Sequence, residues 1–178
     1  RANKSITHKY KLQPTQNIFR AFEKMQQVCT ILDASVLHLL APRRFTFAES
    51  SLKGFQDLLS SINLAKLRLA LETRGISPSD LPSSLLRTMR DYNVIHCVDI
   101  SKGEAPVYKS DILYSRLFGK GPHNVYQPTD EELVQMDKKV SAGNFKKIIL
   151  SFHFVRMYKD AARLKVYKKT GKFPKVTG

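Results

Sequence analysis

The chain is short of cysteine, short of acidic residues and without a long apolar run, and each shortage excludes a class of protein. Two cysteines in 178 residues, Cys29 and Cys97, are too few and too widely spaced for a zinc motif or a disulfide-dense secreted scaffold. Both sit inside apolar segments and read as buried free thiols. No apolar stretch approaches the roughly 20 residues that a membrane-spanning helix needs. The sequence opens on Arg1, with no initiator methionine and no basic start, apolar stretch and small-residue cleavage site of a signal peptide. The expectation is a cytoplasmic protein whose sequence is incomplete at its amino end. Also missing are the Rossmann glycine fingerprint, the P-loop, the G-x-S-x-G elbow, the H-x-x-x-H helix pair and any internal repeat, so nucleotide-binding, serine-hydrolase and helix-borne metal chemistries lack their sequence signatures.

The scarcity of acid leaves 30 Lys and Arg against 15 Asp and Glu, a formal charge of +15 at pH 7. Such a charge attracts polyanions, so nucleic acid or a phosphorylated ligand becomes the partner class to consider. The positives are dispersed, with clusters at Arg43–Arg44, Lys138–Lys139, Lys146–Lys147 and Lys165–Lys175, and charge alone implies no sequence-specific recognition. Length and a hydrophobic fraction of 42% are those of one globular domain with a substantial core, spanning residues 1–178 and ending in a basic tail over 170–178.

What is present is an alternation of apolar periods. After a polar start with the turn-like ITHKYK, Ile18, Phe22, Met25, Cys29 and Leu32 mark one face of a helix over Gln16–Leu32. SVLHLLA at Ser35–Ala41 reads as a buried strand stopped by Pro42. Leu52, Phe55, Leu59 and Ile62 give a second helix, with Ser50 or Ser51 as its cap. The strand Leu67–Leu71 follows, then a helix at Pro82–Tyr92 with Leu85, Leu86 and Met89 inward, a strand at Val94–Val98 ending at Asp99, and a strand at Ile112–Leu117. Thr129 and Glu132 form a capping-box pattern opening a helix through Leu133, Met136 and Val140 that Gly143 closes. Lys147–Phe152 is the last strand, and a basic helix over Val155–Lys169 completes the pattern. Strands alternating with helices predict parallel βαβ units, about five strands in all. An open doubly wound sheet and part of a TIM barrel both fit.

In parallel α/β proteins chemistry collects where strands end. The segment LRLALETRG, Leu67–Gly75, is the most informative case: an apolar run delivers Glu72 and Arg74 onto one face, and Gly75 turns the chain away. On the same argument His38, Arg43, Asp99, Arg116 and His153 lie at strand ends. Carboxylates among arginines serve acid–base or anion-binding chemistry, and serve equally as a structural ion-pair network. For a metal the candidates are His38, His153, Glu72 and Asp99. His38 and His96 lie on apolar segments, where a lone histidine more often belongs to the core, so no metal is assigned. The Met157–Tyr167 helix, with Arg156, Lys159, Arg163 and Lys165 around Tyr158 and Tyr167, reads either as a nucleic-acid surface or as an ordinary outer helix.

ITHKYKL at Ile6–Leu12, the strand ending in Ala41-Pro42, LETRG at Leu71–Gly75, VIHCVD at Val94–Asp99, RLFG within Tyr114–Gly119 and MYKDAARL at Met157–Leu164 resemble, in order, landmarks of the YecE-like family, domain of unknown function 72, and look closest to its archaeal members. The resemblance implies a TIM-barrel-like fold similar to the endonuclease IV barrel, with its cavity at the carboxyl ends of the strands. It also implies that upstream strands are missing, to be completed by an absent segment or a second chain. Family members commonly carry Asn where this chain ends its last strand in Ser151-Phe152-His153, His at Phe118, and Gln within the Ser35–Ala41 strand.

The reading is an incomplete TIM-barrel-like α/β protein with about five parallel strands. It binds a phosphorylated or nucleic-acid ligand at the carboxyl-end rim through Arg43, Arg74, Arg116, Gly119 and His153, with Glu72 and Asp99 as the candidate catalytic pair for a hydrolytic step. The alternative is a noncatalytic basic module docking on nucleic acid or a ribonucleoprotein assembly. Neither reading names a cofactor or involves a membrane.

Overall fold

In a computed structural model of the chain, the structure describes residues 1–42, 45–121 and 125–174. Arg43, Arg44 and the end of the basic tail from Lys175 onward lie outside the described residues. The chain forms two compact units: residues 1–97 with 106–110, and residues 98–105 with 111–178.

The first unit holds a parallel three-stranded sheet, β1 (Val36–Leu40), β2 (Arg68–Glu72) and β3 (Ile95–His96), in the order β1-β2-β3. The expected strands are therefore present, but β3 pairs over two residues only. Its helices are α1 (Gln16–Ile31), α2 (Glu49–Ser61) and α3 (Ser83–Asp91). Thr15 caps α1 by accepting from the Ile18 N–H, and the face carrying Ile18, Phe22 and Cys29 is buried. Leu32 departs from its expected inward place and is exposed. The helix stops at Ile31, and Asp33, at φ 48°, turns the chain off the apolar stripe. The cap of α2 differs too: Ala48 occupies it and no side chain bonds there, so neither serine caps and Glu49 meets the positive helix end instead. In α3, Leu85 and Met89 are fully buried and Leu86 partly so.

Strand alternation divides the first sheet cleanly. Leu37, Leu39, Leu69 and Leu71 point into the core together with Phe22 and Phe55, each such side chain contributing about 1.5–3 kcal/mol by leaving water. The opposite face carries His38, Ala70 and Ile95, and the register His38↔Ala70↔Ile95 places them side by side. Two residues further along, Leu40, Glu72 and Cys97 continue the same face. The ITHKYK segment is a wide helical turn, Ser5–Lys9, that buries Ile6 and Thr7.

The second unit holds the parallel pair β4 (Ile112–Leu117) and β5 (Lys147–Phe152), in register Ile112↔Lys147 to Leu117↔Phe152, with Val98 bridged to Ser115. Both strands match their predicted bounds. Helix α4 (Asp130–Ala142) opens on the predicted capping box, Thr129 with Glu132, and buries Leu133, Met136 and Val140 against Val98, Leu113, Leu117 and Phe154. Helix α5 (Met157–Thr170) closes at Gly171 in the left-handed region. Inside it the buried Asp160 accepts from Arg163 Nη1 at 2.6 Å and Gln127 Nε2 at 2.8 Å, and Arg163 also pairs with Asp130. The fold is thus mixed α/β, with parallel strands in two small sheets. No helix among the described residues is long and apolar enough to cross a membrane.

Candidate functional site

Polar groups gather at the strand ends within each unit. In the first, Glu72 closes β2 and its two oxygens are divided. Oε2 lies 3.0 Å from His38 Nε2 and 4.0 Å from Cys97 Sγ, while Oε1 lies 3.5 Å from Arg74 Nε. His38 is thus a buried histidine that has its partner, a carboxylate one strand away. His38 and Cys97 are buried and Glu72 partly so, and the three donor atoms lie within 4.8 Å of one another. Both cysteines are buried and neither is in a disulfide.

Beside this cluster a cavity of about 190 Å³ is lined by Arg1, Ala2, Lys4, Thr7, His8, Leu40 and Arg74. Its charged wall is basic. Burial, then Lys4, Arg74 and Arg1 in turn, hold the His8 imidazole below its ordinary range, and its Nδ1 meets Thr7 Oγ1 at 2.8 Å. Lost hydration and neighbouring cations both disfavour the imidazolium, so this ring takes up a proton less readily than an ordinary histidine.

The second unit assembles Arg116, Phe118, Gly119, His153 and Asp99. Arg116 Nε donates to His153 Nε2 at 3.2 Å, and Ser151 Oγ meets the same nitrogen at 3.2 Å. The Phe118 ring stacks on His153 with centroids 4.7 Å apart, and the Arg116 guanidinium lies 4.8 Å from its centroid, a cation–π distance. Asp99 Oδ2 accepts from the Phe118 N–H at 2.9 Å. Its Oδ1 accepts from the Ser101 N–H at 3.0 Å and from the Ser101 hydroxyl. Burial pushes the Asp99 carboxyl up, against those hydrogen bonds and Lys102, which pull it down. Ser101 Oγ in turn accepts from the Gly119 N–H at 2.9 Å. Asp99 therefore ties the turn at Ile100–Lys102 to the Phe118-Gly119 segment. Gly119 sits at φ +80° with the Tyr126 ring 1.8 Å from where a Cβ would stand, a position that only glycine fills without strain.

Of the residues singled out from sequence, the structure brings Glu72 to Arg74 and His38, and Arg116 to His153 beside Gly119. Arg43 falls outside the described residues. His96 is a core histidine: its Nδ1 accepts from the Val107 N–H at 3.3 Å, and burial lowers it to about 4. Sequence reasoning missed Lys4, His8 and Cys97. The alternation of VIHCVD carries a signal for Cys97, which shares a face with Ile95 and so with Glu72. For Lys4 and His8 no periodicity exists, because a turn places them.

Parallel strands joined by helices, with charged and polar groups at strand ends, define a parallel α/β protein with candidate ligand-binding positions there. The chain belongs to the DUF72 family, described as a protein of unknown function, and the match spans residues 1–168. Among solved structures it is similar to the crystal structure of a DUF72 family protein from Thermotoga maritima, with 16% identity and a TM-score of 0.65 over 96% of this chain and 72% of that chain. That likeness is one of fold. No curated protein matches the chain.

Proposed function

We propose that this chain is part of a TIM-barrel-like protein that binds a phosphorylated ligand at the carboxyl ends of its strands, with Arg74 as the principal anion contact. The observation that carries the reading is the cavity whose charged lining is Arg1, Lys4 and Arg74 beside His8. Clustered cations with a polar imidazole and hydroxyl suit phosphate oxygens, and a guanidinium binds them through two N–H groups at once. The net charge of +15 adds long-range attraction for a nucleic-acid backbone. Hydrolysis of a bound phosphoester would draw on the Glu72–His38 pair beside Arg74. The test is calorimetry with inorganic phosphate and nucleoside monophosphates, alongside filter binding with single-stranded, duplex and structured RNA and DNA across a salt series. Arg74→Ala should weaken binding at least about tenfold, since even one of its charge-assisted hydrogen bonds contributes about 1.5 kcal/mol. Binding no tighter than to a neutral control protein, or equal binding by Arg74→Ala, would overturn the reading.

A second reading is a noncatalytic module docking on nucleic acid or a ribonucleoprotein through α5. It is favoured by exposed Arg156, Lys159, Lys165 and Lys169 around Tyr158, which is 74% exposed and available for base stacking. Neutralising Lys159, Lys165 and Lys169 should then weaken nucleic-acid binding and reduce its salt dependence, while Glu72→Gln leaves both unchanged. The opposite pattern excludes this surface.

A further inference from the structure

We infer that His38, Glu72 and Cys97 form a binding site for a zinc-type divalent cation, which shares His38 and Glu72 with the hydrolytic step proposed above but is tested without any anion. Three consecutive elements supply one donor each: an imidazole from β1, a carboxylate from the end of β2 and a thiol from just beyond β3. Register and alternation place all three on one face of the sheet, the one opposite the leucine core. Tetrahedral zinc bonds of about 2.0–2.3 Å set donor atoms about 3.3–3.7 Å apart. The His38 Nε2–Glu72 Oε2 separation of 3.0 Å and the Glu72 Oε2–Cys97 Sγ separation of 4.0 Å bracket that value, and no donor pair exceeds 4.8 Å. Side-chain rotation closes the remainder.

Two further features suit a cation. The carboxylate is oriented from outside the cluster: Arg74 holds Oε1 at 3.5 Å and leaves Oε2 facing the histidine and the thiol, the outer support that metal ligands ordinarily have. The donor set of imidazole, carboxylate and thiolate selects a borderline-soft ion over magnesium or calcium, which prefer all-oxygen cages. Three protein ligands leave a fourth position for water or a ligand atom, the arrangement of catalytic rather than structural zinc. On binding, Cys97 releases its thiol proton to solvent and the sulfur–metal bond forms; the proton that His38 Nε2 donates to Glu72 shifts by tautomerisation to Nδ1, so that the His38–Glu72 hydrogen bond gives way to two metal bonds.

The test is titration of the metal-stripped full chain with Co2+ as a spectroscopic stand-in for Zn2+, followed by competition with Zn2+. The expected result is one equivalent bound, with tetrahedral ligand-field bands in the visible and a sulfur-to-cobalt charge-transfer band in the near ultraviolet, both erased by Zn2+. Cys97→Ser, nearly isosteric, should remove the charge-transfer band and weaken Co2+ binding at least about tenfold, since loss of even an outer partner costs 10–100-fold. Cys29→Ser, which removes the other thiol of the chain, should leave both unchanged, and Glu72→Gln should weaken binding while keeping the charge-transfer band. Wild-type protein that takes up Co2+ without a charge-transfer band, or takes up none, overturns the site, as does a band that persists in Cys97→Ser or vanishes in Cys29→Ser. These readouts involve no phosphate and fail or succeed separately from anion binding in the Arg74 cavity.

Discussion

Acidification should destabilise this protein through His96 in particular. The side chain is 2% exposed, accepts from the Val107 N–H through Nδ1, and is lowered by burial from 6.5 to about 4. A histidine in the unfolded chain takes up its proton near pH 6.5, while the folded chain resists until about pH 4. Over that window the unfolded state binds more protons, so stability rises with pH and is lost as pH falls. Separating 6.5 from about 4 corresponds to about 3 kcal/mol, at ~1.4 kcal/mol per unit of pH. Protonation at Nδ1 would also set one donor against another, leaving the Val107 N–H without its acceptor. His96→Asn keeps an acceptor oxygen close to the Nδ1 position and removes the titration. Urea denaturation of both proteins at pH 7 and pH 4 isolates the effect, because every other group titrates alike in the two. Asp99 works in the opposite sense: its raised carboxyl means that the folded state holds a proton longer, so its stabilisation fades as pH rises through the acid range. It cancels between wild type and variant. The wild type should lose about 3 kcal/mol more than His96→Asn between the two pH values. Equal losses, or an imidazole that titrates near 6.5 in the folded protein by NMR, would refute the reasoning.

Two other expectations concern the second unit. Arg163→Met leaves the buried Asp160 carboxylate without its cation and should cost about 3–5 kcal/mol in urea denaturation, most of it recovered when Asp160→Asn is added; a loss below about 1 kcal/mol would show that the pair is screened. Gly119→Ala forces a Cβ into the Tyr126 ring at positive φ and should destabilise by about 1–3 kcal/mol, with a shift of the Tyr126 ring signals by NMR as the check on mechanism.

Much of the architecture was legible in the amino-acid order because its causes are local. The capping box at Thr129 and Glu132, the bounds of β4 and β5, and the buried faces of α1 and α4 depend on residues within a few positions of each other, and side-chain alternation carries Glu72 and Arg74 to one face. Legibility failed where a local rule had competitors. Ser50 and Ser51 both satisfied a cap preference, yet the cap falls at Ala48 and the helix begins at Glu49, ahead of both serines. Leu32 fitted the helical period, but the backbone at Asp33 had already left the helix.

The sequence by itself determined that strands and helices alternate, that the strands run parallel, and that charged residues stand at their ends, since these follow from periodicity and the short spacing between elements. Tertiary structure alone decided which of those residues meet. Glu72 finds His38 from thirty-four positions earlier and Cys97 from twenty-five later; Arg116 finds His153; and Lys4 and His8 come to Arg74 around one cavity. For the residues at strand ends the physical reason is strand register: hydrogen bonds between parallel strands set side by side residues whose distance along the chain carries no periodic signal; Lys4 and His8 are brought in by the turn over Ser5–Lys9.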